Sequence, residues 1–406
     1  MKNKLLTLIL LTFLSPVMAD PVFTLSMQVD QMSKLYGFAN AEDMFDRFDG
    51  ISLSNEFPDY MREISEIKGQ IDYRGMPMIM SYAHNSAILV FDVPSLGIHQ
   101  TFDGNGNRDV ANDLFVEFLK GEGGDIINRI NKHLAQLSPV DPFAGNPTSL
   151  MGSMVGTTFD DGTQIVRNPI NVSPSSNAGE NLLATGIQFG SMTQGGTNVD
   201  VWSIPIQYTW AEEDGHNLTF KMPISMIDAA GSKSYKFGLG LAYQMPMSKR
   251  WLLTPSFEYG LMGSEDLLSA GQIISVSVTS LYTFDPVGDG ISISVGNMLG
   301  AYKTLPTTIG DIDVDPDISS QVMKNGLIID TKNTLFDMKV NVQYFVSDTR
   351  FFGDNLYAEH YNEVGFSVTP VKKGGIYDYL GISFTYLFSS SADDIDGVKL
   401  GLVYTF

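Results

Sequence analysis

From about residue 182 onward the chain alternates apolar and polar positions with a period of two. Tyr235, Phe237, Leu239, Leu241, Tyr243 and Met245 alternate with Lys236, Gly238, Gly240, Ala242 and Gln244. Trp251, Leu253, Pro255, Phe257 and Tyr259 alternate with Thr254, Ser256, Glu258 and Gly260. Phe336, Met338, Val340, Val342, Tyr344 and Val346 alternate with Asp337, Lys339, Asn341, Gln343 and Ser347. Stretches at 202–210, 218–226, 274–284, 291–295 and 376–388 obey the same rule. This period puts successive side chains on opposite faces of a strand. The breaks, such as Glu213-Asp214-Gly215, Ala229-Ala230-Gly231-Ser232 and Lys372-Lys373-Gly374-Gly375, are built of hairpin residues.

Strands are expected near 163–171, 182–191, 199–210, 216–227, 234–246, 250–260, 272–284, 289–299, 334–347, 355–369, 375–388 and 397–406. That is about twelve antiparallel strands, within a range of ten to fourteen, and an even number suits a bacterial single-chain barrel. Segments of about ten residues, apolar on one face and small or charged on the other, fit a transmembrane barrel with a greasy lipid face and a polar lumen. A soluble sandwich shows the same period but buries the greasy face. Trp202 and Trp210 share a face and would lie roughly 20 Å apart along the membrane normal, the spacing of two interfacial girdles. Segment 302–332 does not fit this count, because it leaves a long connection on the side where connections are short. It is expected to hold further strand, near Gly326 to Asp330, or to fold into the barrel.

The two ends of the sequence place the strands in context. Residues 1–19 run MKNKLLTLILLTFLSPVMA, a basic start, an apolar run too short to span a bilayer and a small-residue cleavage site, as in a secretory signal peptide. The last strand alternates Val398, Leu400, Leu402, Tyr404 and Phe406 with Lys399, Gly401 and Thr405. An aromatic end with alternating apolar residues, here Leu402, Tyr404 and Phe406, resembles the insertion signal of Gram-negative outer-membrane β-barrels. The resemblance implies export, reading by the barrel-assembly machinery, and residence among the lipids and lipopolysaccharide of the outer membrane.

Residues 20–150 have another rhythm, that of a small α+β segment. Ala41–Phe48 and Pro58–Ile67 read as short helices. Four runs, 70–73, 76–82, 87–93 and 97–102, read as a meander. Asp109–Leu119 and Asp125–Leu137 read as amphipathic helices, with Leu114, Phe115 and Phe118 and then Ile126, Ile130 and Leu134 on their apolar faces. Ser138-Pro139 to Asn146-Pro147 is a plausible boundary, so the barrel is expected over 151–406 and the preceding segment as a periplasmic domain or a lumen plug.

Composition narrows the chemistry. The chain has 406 residues, no cysteine, and 46 acidic against 25 basic side chains. Loss of Lys2 and Lys4 with residues 1–19 takes the net charge from −21 to −23. Such a chain would release few counterions from a polyphosphate, which argues against nucleic acid as a partner. Absent cysteine excludes disulfides, thiolate metal sites and cysteine nucleophiles. Mean hydropathy of +0.02 is the average of interleaved lipid-facing and lumen-facing registers.

Candidate chemistry sits mainly on the inner face. Lys221, Lys236, Glu258, Asp337, Lys339 and Lys399 are expected to point into the lumen, where charges need water or partners. They either line a solute path or form a network that holds a narrow barrel together. Asp103, Asn105, Asn107 and Asp109 place oxygens at alternate positions, as in a calcium loop. Arg108 and Leu114 depart from that pattern, and a turn capping the next helix explains the same residues. No other cofactor is expected. The acid row Asp311, Asp313, Asp315 and Asp317 reads as a solvated loop. Glu359-His360-Tyr361-Asn362-Glu363 is the densest titratable group in the barrel, but strand alternation sends Glu359 and His360 to opposite faces. An enzyme acting on lipid is therefore the least favoured function. A small-solute, porin-like channel or envelope protein comes first, and an autotransporter-like protein that displays a domain at the surface is the alternative.

Overall fold

A computed structural model describes residues 21–119, 123–165, 181–288, 290–309, 312–335, 338–370, 380–389 and 395–405. The period-two segments form one closed antiparallel barrel. Its strands are β7 (Leu182–Gln194), β8 (Thr197–Ile204) continuing as β9 (Ile206–Ala211), β10 (Asn217–Lys221) continuing as β11 (Ile224–Ala229), β12 (Ser232–Ser248), β13 (Trp251–Ser264), β14 (Ser269–Thr283), β15 (Ile291–Leu305), β18 (Ser319–Leu335), β19 (Met338–Gly353), β20 (His360–Pro370), β21 (Leu380–Phe388) and β22 (Ile395–Thr405). β8 with β9, and β10 with β11, each cross the wall once, so there are twelve staves. The two interruptions coincide at Pro205 and Pro223, because Ile204 pairs with Ile224 and the Met222 N–H reaches the Ile206 carbonyl. Two donor-less residues therefore face each other and neither deprives a neighbour of a bond.

β22 pairs with β7 from Ile395↔Gln194 to Thr405↔Ala184, which closes the wall. A circuit through paired residues runs from Pro246 by Leu252, Leu281, Gly296, Gly326, Ser347, Glu363, Leu387, Gly397, Met192, Val199 and Ala229 to Ser232. It returns to β12 fourteen residues from its start. That stagger over twelve strands inclines them by about 40° to the barrel axis.

The strand count expected from the sequence is right, but through two compensating differences. There is no strand at 163–164, where a helix ends, and 166–171 lies outside the described residues. The long segment 302–332 instead holds the end of β15, a small hairpin of β16 (Thr307–Ile309) and β17 (Ile312–Val314), and most of β18. Exchanging one strand for the other moves the long connection to the opposite rim and removes the conflict. The lower rim carries both ends of the barrel, at Leu182 and Thr405, and the connections at 212–216 and 249–250. The upper rim carries the connections at 195–196, 230–231, 265–268, 306–318 and 354–359.

The outer face is apolar, with Ile187, Leu239, Leu241, Phe257, Val276, Ile382, Leu400 and Leu402 all exposed. Trp202 and Trp210 are 48% and 47% exposed, as membrane-interface residues on one stave should be. No helix is long and apolar enough among the described residues to cross a membrane; the strands supply the apolar belt.

The N-terminal domain is a six-stranded antiparallel sheet in the order β2 (Met32–Phe38), β1 (Phe23–Val29), β3 (Ile67–Tyr73), β4 (Met76–Tyr82), β5 (Ile88–Val93), β6 (Ile98–Asp103). The four expected strands are β3, β4, β5 and β6. Two more, β1 and β2, precede them. The expected helices α3 (Arg108–Glu117) and α4 (Asp125–Leu137) are present, as is α1 (Ala41–Phe45). The helix expected at 58–67 is replaced by α2 (Gly50–Glu56), whose N-cap Asp49 accepts from the Ile51 and Ser52 N–H groups.

This domain sits on the upper rim. Its core of Phe23, Phe45, Phe91, Phe115 and Leu134 is continuous with Val199, Ile227, Ala229 and Leu267 of the barrel. The Ala41 N–H donates to the Asp266 carbonyl (2.9 Å), the Tyr73 hydroxyl to the Leu267 carbonyl (3.1 Å), and Lys132 pairs with Asp354 (3.0 Å). The stretch read from the sequence as a boundary is buried rather than a solvated linker: Ser138, Asp141 and Ala144 to Leu150 are all buried. From it the chain enters the lumen as α5 (Leu150–Thr163), in a stretch assigned from the sequence to the barrel but with no strand expected before 163.

Helix and wall are matched by glycine. A Cβ on Gly296 would stand 2.3 Å from Thr163 Cγ2, one on Gly260 2.8 Å from Leu150, and one on Gly326 2.9 Å from Phe159. Gly296→Val is therefore expected to destabilise the folded barrel by about 1–3 kcal/mol, read as a lower melting temperature on gels that separate folded from heat-unfolded protein. Gly263→Val, where nothing lies within 4 Å, should change it little; equal melting of the two variants would contradict the seat.

Candidate functional site

The lumen is the candidate site, and α5 divides it. Ser149 caps the helix, its hydroxyl accepting from the Gly152 N–H at 3.1 Å. At the other end Gln164 adopts a left-handed conformation, φ 58°, and its carbonyl accepts from Gln343 Nε2 at 3.2 Å. One face of the helix, with Leu150, Met151, Met154, Val155 and Phe159, packs against Met262, Ile273, Leu281, Met298, Ile328 and Phe345. Those inner-face residues belong to β13, β14, β15, β18 and β19, where they stand among polar inward neighbours such as Ser256, Glu258, Ser275, Lys324 and Ser347. The inner face of β9, β10 and β12 is polar, with Gln207, Thr209, Asn217, Lys221, Ser234, Lys236 and Gln244.

Three clusters of charge tie the parts together. Lys221 Nζ lies 2.6 Å from Asp161 of the helix and also pairs with Glu258, which accepts from the Thr158 hydroxyl. Lys236 Nζ donates to the Thr148 carbonyl (2.7 Å), the Ser149 carbonyl (3.4 Å) and the Ser153 hydroxyl. Glu363 receives Lys324 at 2.6 Å and Lys399 at 3.4 Å, and Lys324 also stands 5.3 Å from the centre of the Phe159 ring. At the mouth, Arg74 and Asp141 form a fully buried pair at 3.8 Å that joins the domain to the entering chain. Burial pushes the Asp141 carboxyl above the usual range, against the pull of Arg74.

Of the expected lumen residues, Lys221, Lys236 and Glu258 are buried there and Lys399 reaches in. Lys339 keeps the inward register of β19 but is exposed, because it lies four residues beyond Gln343, where the helix ends. Asp337 lies outside the described residues, as do Phe406 and Asp311, while Leu402 is on the outer face. Asp315 serves the docking of the domain, its N–H donating to Asn128 at 2.8 Å. Asn107 caps α3 by accepting from the Asp109 N–H (2.9 Å), Asp103 accepts from the Asn105 N–H (2.9 Å), and Asp109 pairs with Arg62. Among the described residues no group of three or more His, Asp or Glu is placed to hold a metal. Glu363 of the titratable group is engaged by two lysines, and His360 lies on the other register.

Sequence reasoning missed Thr158, Asp161, Lys324 and α5 itself. Gly152, Gly156, Gly162 and three threonines weaken the helix signal over 150–163. The available clue was the set of apolar inner positions, Met262, Ile273, Met298 and Ile328, which a water-filled lumen does not need.

A cavity of about 130 Å³ remains between the small-residue face of α5, with Gly152, Ser153, Gly156 and Thr157, and Gln188, Gly190, Ser383, Thr385 and Lys399 of the wall. Apolar groups, Leu150 and Met154 of the helix among them, make up most of its lining, and it is large enough for several water molecules.

No protein-family model matches the chain, and neither does any curated protein. Among solved structures it is similar to the β domain of the Bordetella autotransporter BrkA, at 12% identity over 56% of this chain and 99% of that one, with a TM-score of 0.41. It is also similar to the KdgM porin (12% identity, 54% and 99%, TM-score 0.34) and to LpxR from Salmonella typhimurium (9% identity, 55% and 99%, TM-score 0.35).

Proposed function

We propose that the protein is an outer-membrane barrel that holds its own N-terminal α+β domain at the outer mouth, on a helix threaded through the lumen. One observation carries this reading: the domain sits on the upper rim while both ends of the barrel lie on the lower rim, and α5 connects the two through the interior. On this reading the lower rim, which carries both ends of the barrel, faces the periplasm. The longest connection between barrel strands, 306–318, lies on the upper rim, in keeping with longer extracellular loops. On this reading the domain, expected from the sequence in the periplasm or as a lumen plug, stands at the cell surface. A channel is the second reading, and the cavity left beside α5 is the observation that favours it.

The absence of native cysteine makes orientation directly measurable. Asp59→Cys lies on the exposed surface of the domain and Asp214→Cys on the lower rim. A membrane-impermeant maleimide should label the first on intact cells and the second only after permeabilisation. Labelling in the reverse order, or of neither on intact cells, would refute surface display. The lumen makes a second prediction. Lys221→Met leaves Asp161 and Glu258 uncompensated, a loss of about 3–5 kcal/mol for a buried pair. The variant should show conductance steps in planar bilayers that the parent lacks. Stable open conductance in the parent would favour the channel reading, and a variant as silent as the parent would mean that this cluster does not hold the helix.

A further inference from the structure

A continuous polar row crosses the lipid face over β14 to β20. Ser280, Asn297, Asn325, Asp348 and Asn362 are directly paired neighbours across β14, β15, β18, β19 and β20. All five lie on the outward register, and the barrel tilt makes the row climb toward the upper rim. Ser280 at one end and Asp348, next to the other end, have partners: Trp251 Nε1 donates to the Ser280 hydroxyl at 2.9 Å, and Arg350 pairs with Asp348 at 2.8 Å. The middle does not lie at an interface. Asn297 is flanked on its strand by Val295 and by Leu299, which is 61% exposed, and Asn325 by Met323 and Leu327. On the diametrically opposite wall, Ile187, Leu400 and Leu402 are exposed and apolar.

Asn297 Nδ2 donates to Asn325 Oδ1 at 2.6 Å. This bond uses one donor and one acceptor of the pair. The Asn297 oxygen and the Asn325 amide hydrogens have no protein partner among the described residues, and hydrocarbon supplies none. A primary amide carries a donor and an acceptor in equal measure, so an exposed Asn pair complements a copy of itself turned by a twofold axis. Within the membrane such groups promote association of spanning elements.

We propose that Asn297 and Asn325 are the centre of a twofold interface with a second copy of this chain. The two inclined rows cross at these residues, the four amides complete one another's hydrogen bonds, and Leu299, Leu327 and Val295 pack around them. The occupant is a second copy rather than a lipid, because acyl chains offer no hydrogen bond at this depth. The inference rests on the membrane-barrel reading, though not on which rim faces outward.

The test again uses the cysteine-free chain in its native membrane. Leu299→Cys, oxidised in isolated membranes, should give a covalent dimer, whereas Ile187→Cys on the opposite wall should not. Adding Asn297→Leu and Asn325→Leu to Leu299→Cys should lower the dimer yield at least tenfold while the unheated protein keeps its folded gel mobility. Asn325→Thr, which breaks the amide pair with a residue suited to strands, is expected to do the same and serves where the double variant does not fold. Equal cross-linking at positions 187 and 299, no cross-linking at 299, or a yield indifferent to the amides would overturn the interface. Failure of the barrel reading is separately visible, as protein outside the membrane fraction without a heat-dependent mobility.

Discussion

Closure of the wall by β22 against β7 is the constraint on which the rest depends. It removes the last unpaired strand edge, which hydrocarbon does not tolerate, and with twelve staves it fixes the bore. At a strand spacing near 4.8 Å and a tilt near 40°, the backbone cylinder is about 24 Å across. Inward side chains reduce that considerably, and a helix with its side chains needs about 10–12 Å. One helix fits only if part of the wall withdraws, which is what Gly260, Gly296 and Gly326 do on the side where α5 lies. The other side keeps longer polar residues and retains the cavity.

From this follows the path of the whole chain. A barrel of even strand number has both ends on one rim, and a helix that fills its lumen delivers the preceding segment to the other. The domain is docked there rather than loosely tethered. Leu267 reaches into the domain core, Asp266 binds Asn40 and the Ala41 N–H, and Asp141 with Arg74 buries the crossing point. Fold and proposed display are thus one geometric fact, provided the lower rim faces the periplasm.

The barrel was legible because its period of two is imposed twice, by lipid outside and by packing inside. Trp202 and Trp210, the inward lysines at 221 and 236, and Glu258 could each be placed from alternation alone. β18 was harder to see because its outward positions include Gln321, Asn325 and Thr331, so the polar row that marks the proposed interface also hid the strand. α5 was hidden for a related reason. The glycines and threonines that let it sit against the wall are residues of low helix propensity, so close packing erased the local signal that would have announced it. β1 and β2 lie directly after the expected export signal, and their alternation is brief.

The division of labour on α5 explains why both kinds of contact are needed. Its apolar face against Met262, Ile273 and Phe345 supplies burial, but such contacts tolerate sliding and rotation of a helix by a fraction of a turn. The lysines do not. Lys221 must meet Asp161 and Glu258 together, and Lys236 must find the carbonyls of Thr148 and Ser149 where the helix begins. Taking these charges out of water costs much of what their attraction returns, so their contribution is to register more than to stability. A slip of one residue would turn Asp161 away from Lys221 and bring Phe159 off Gly326. The clusters therefore fix the height and rotation of the helix in the bore, and with them the position of the domain on the rim.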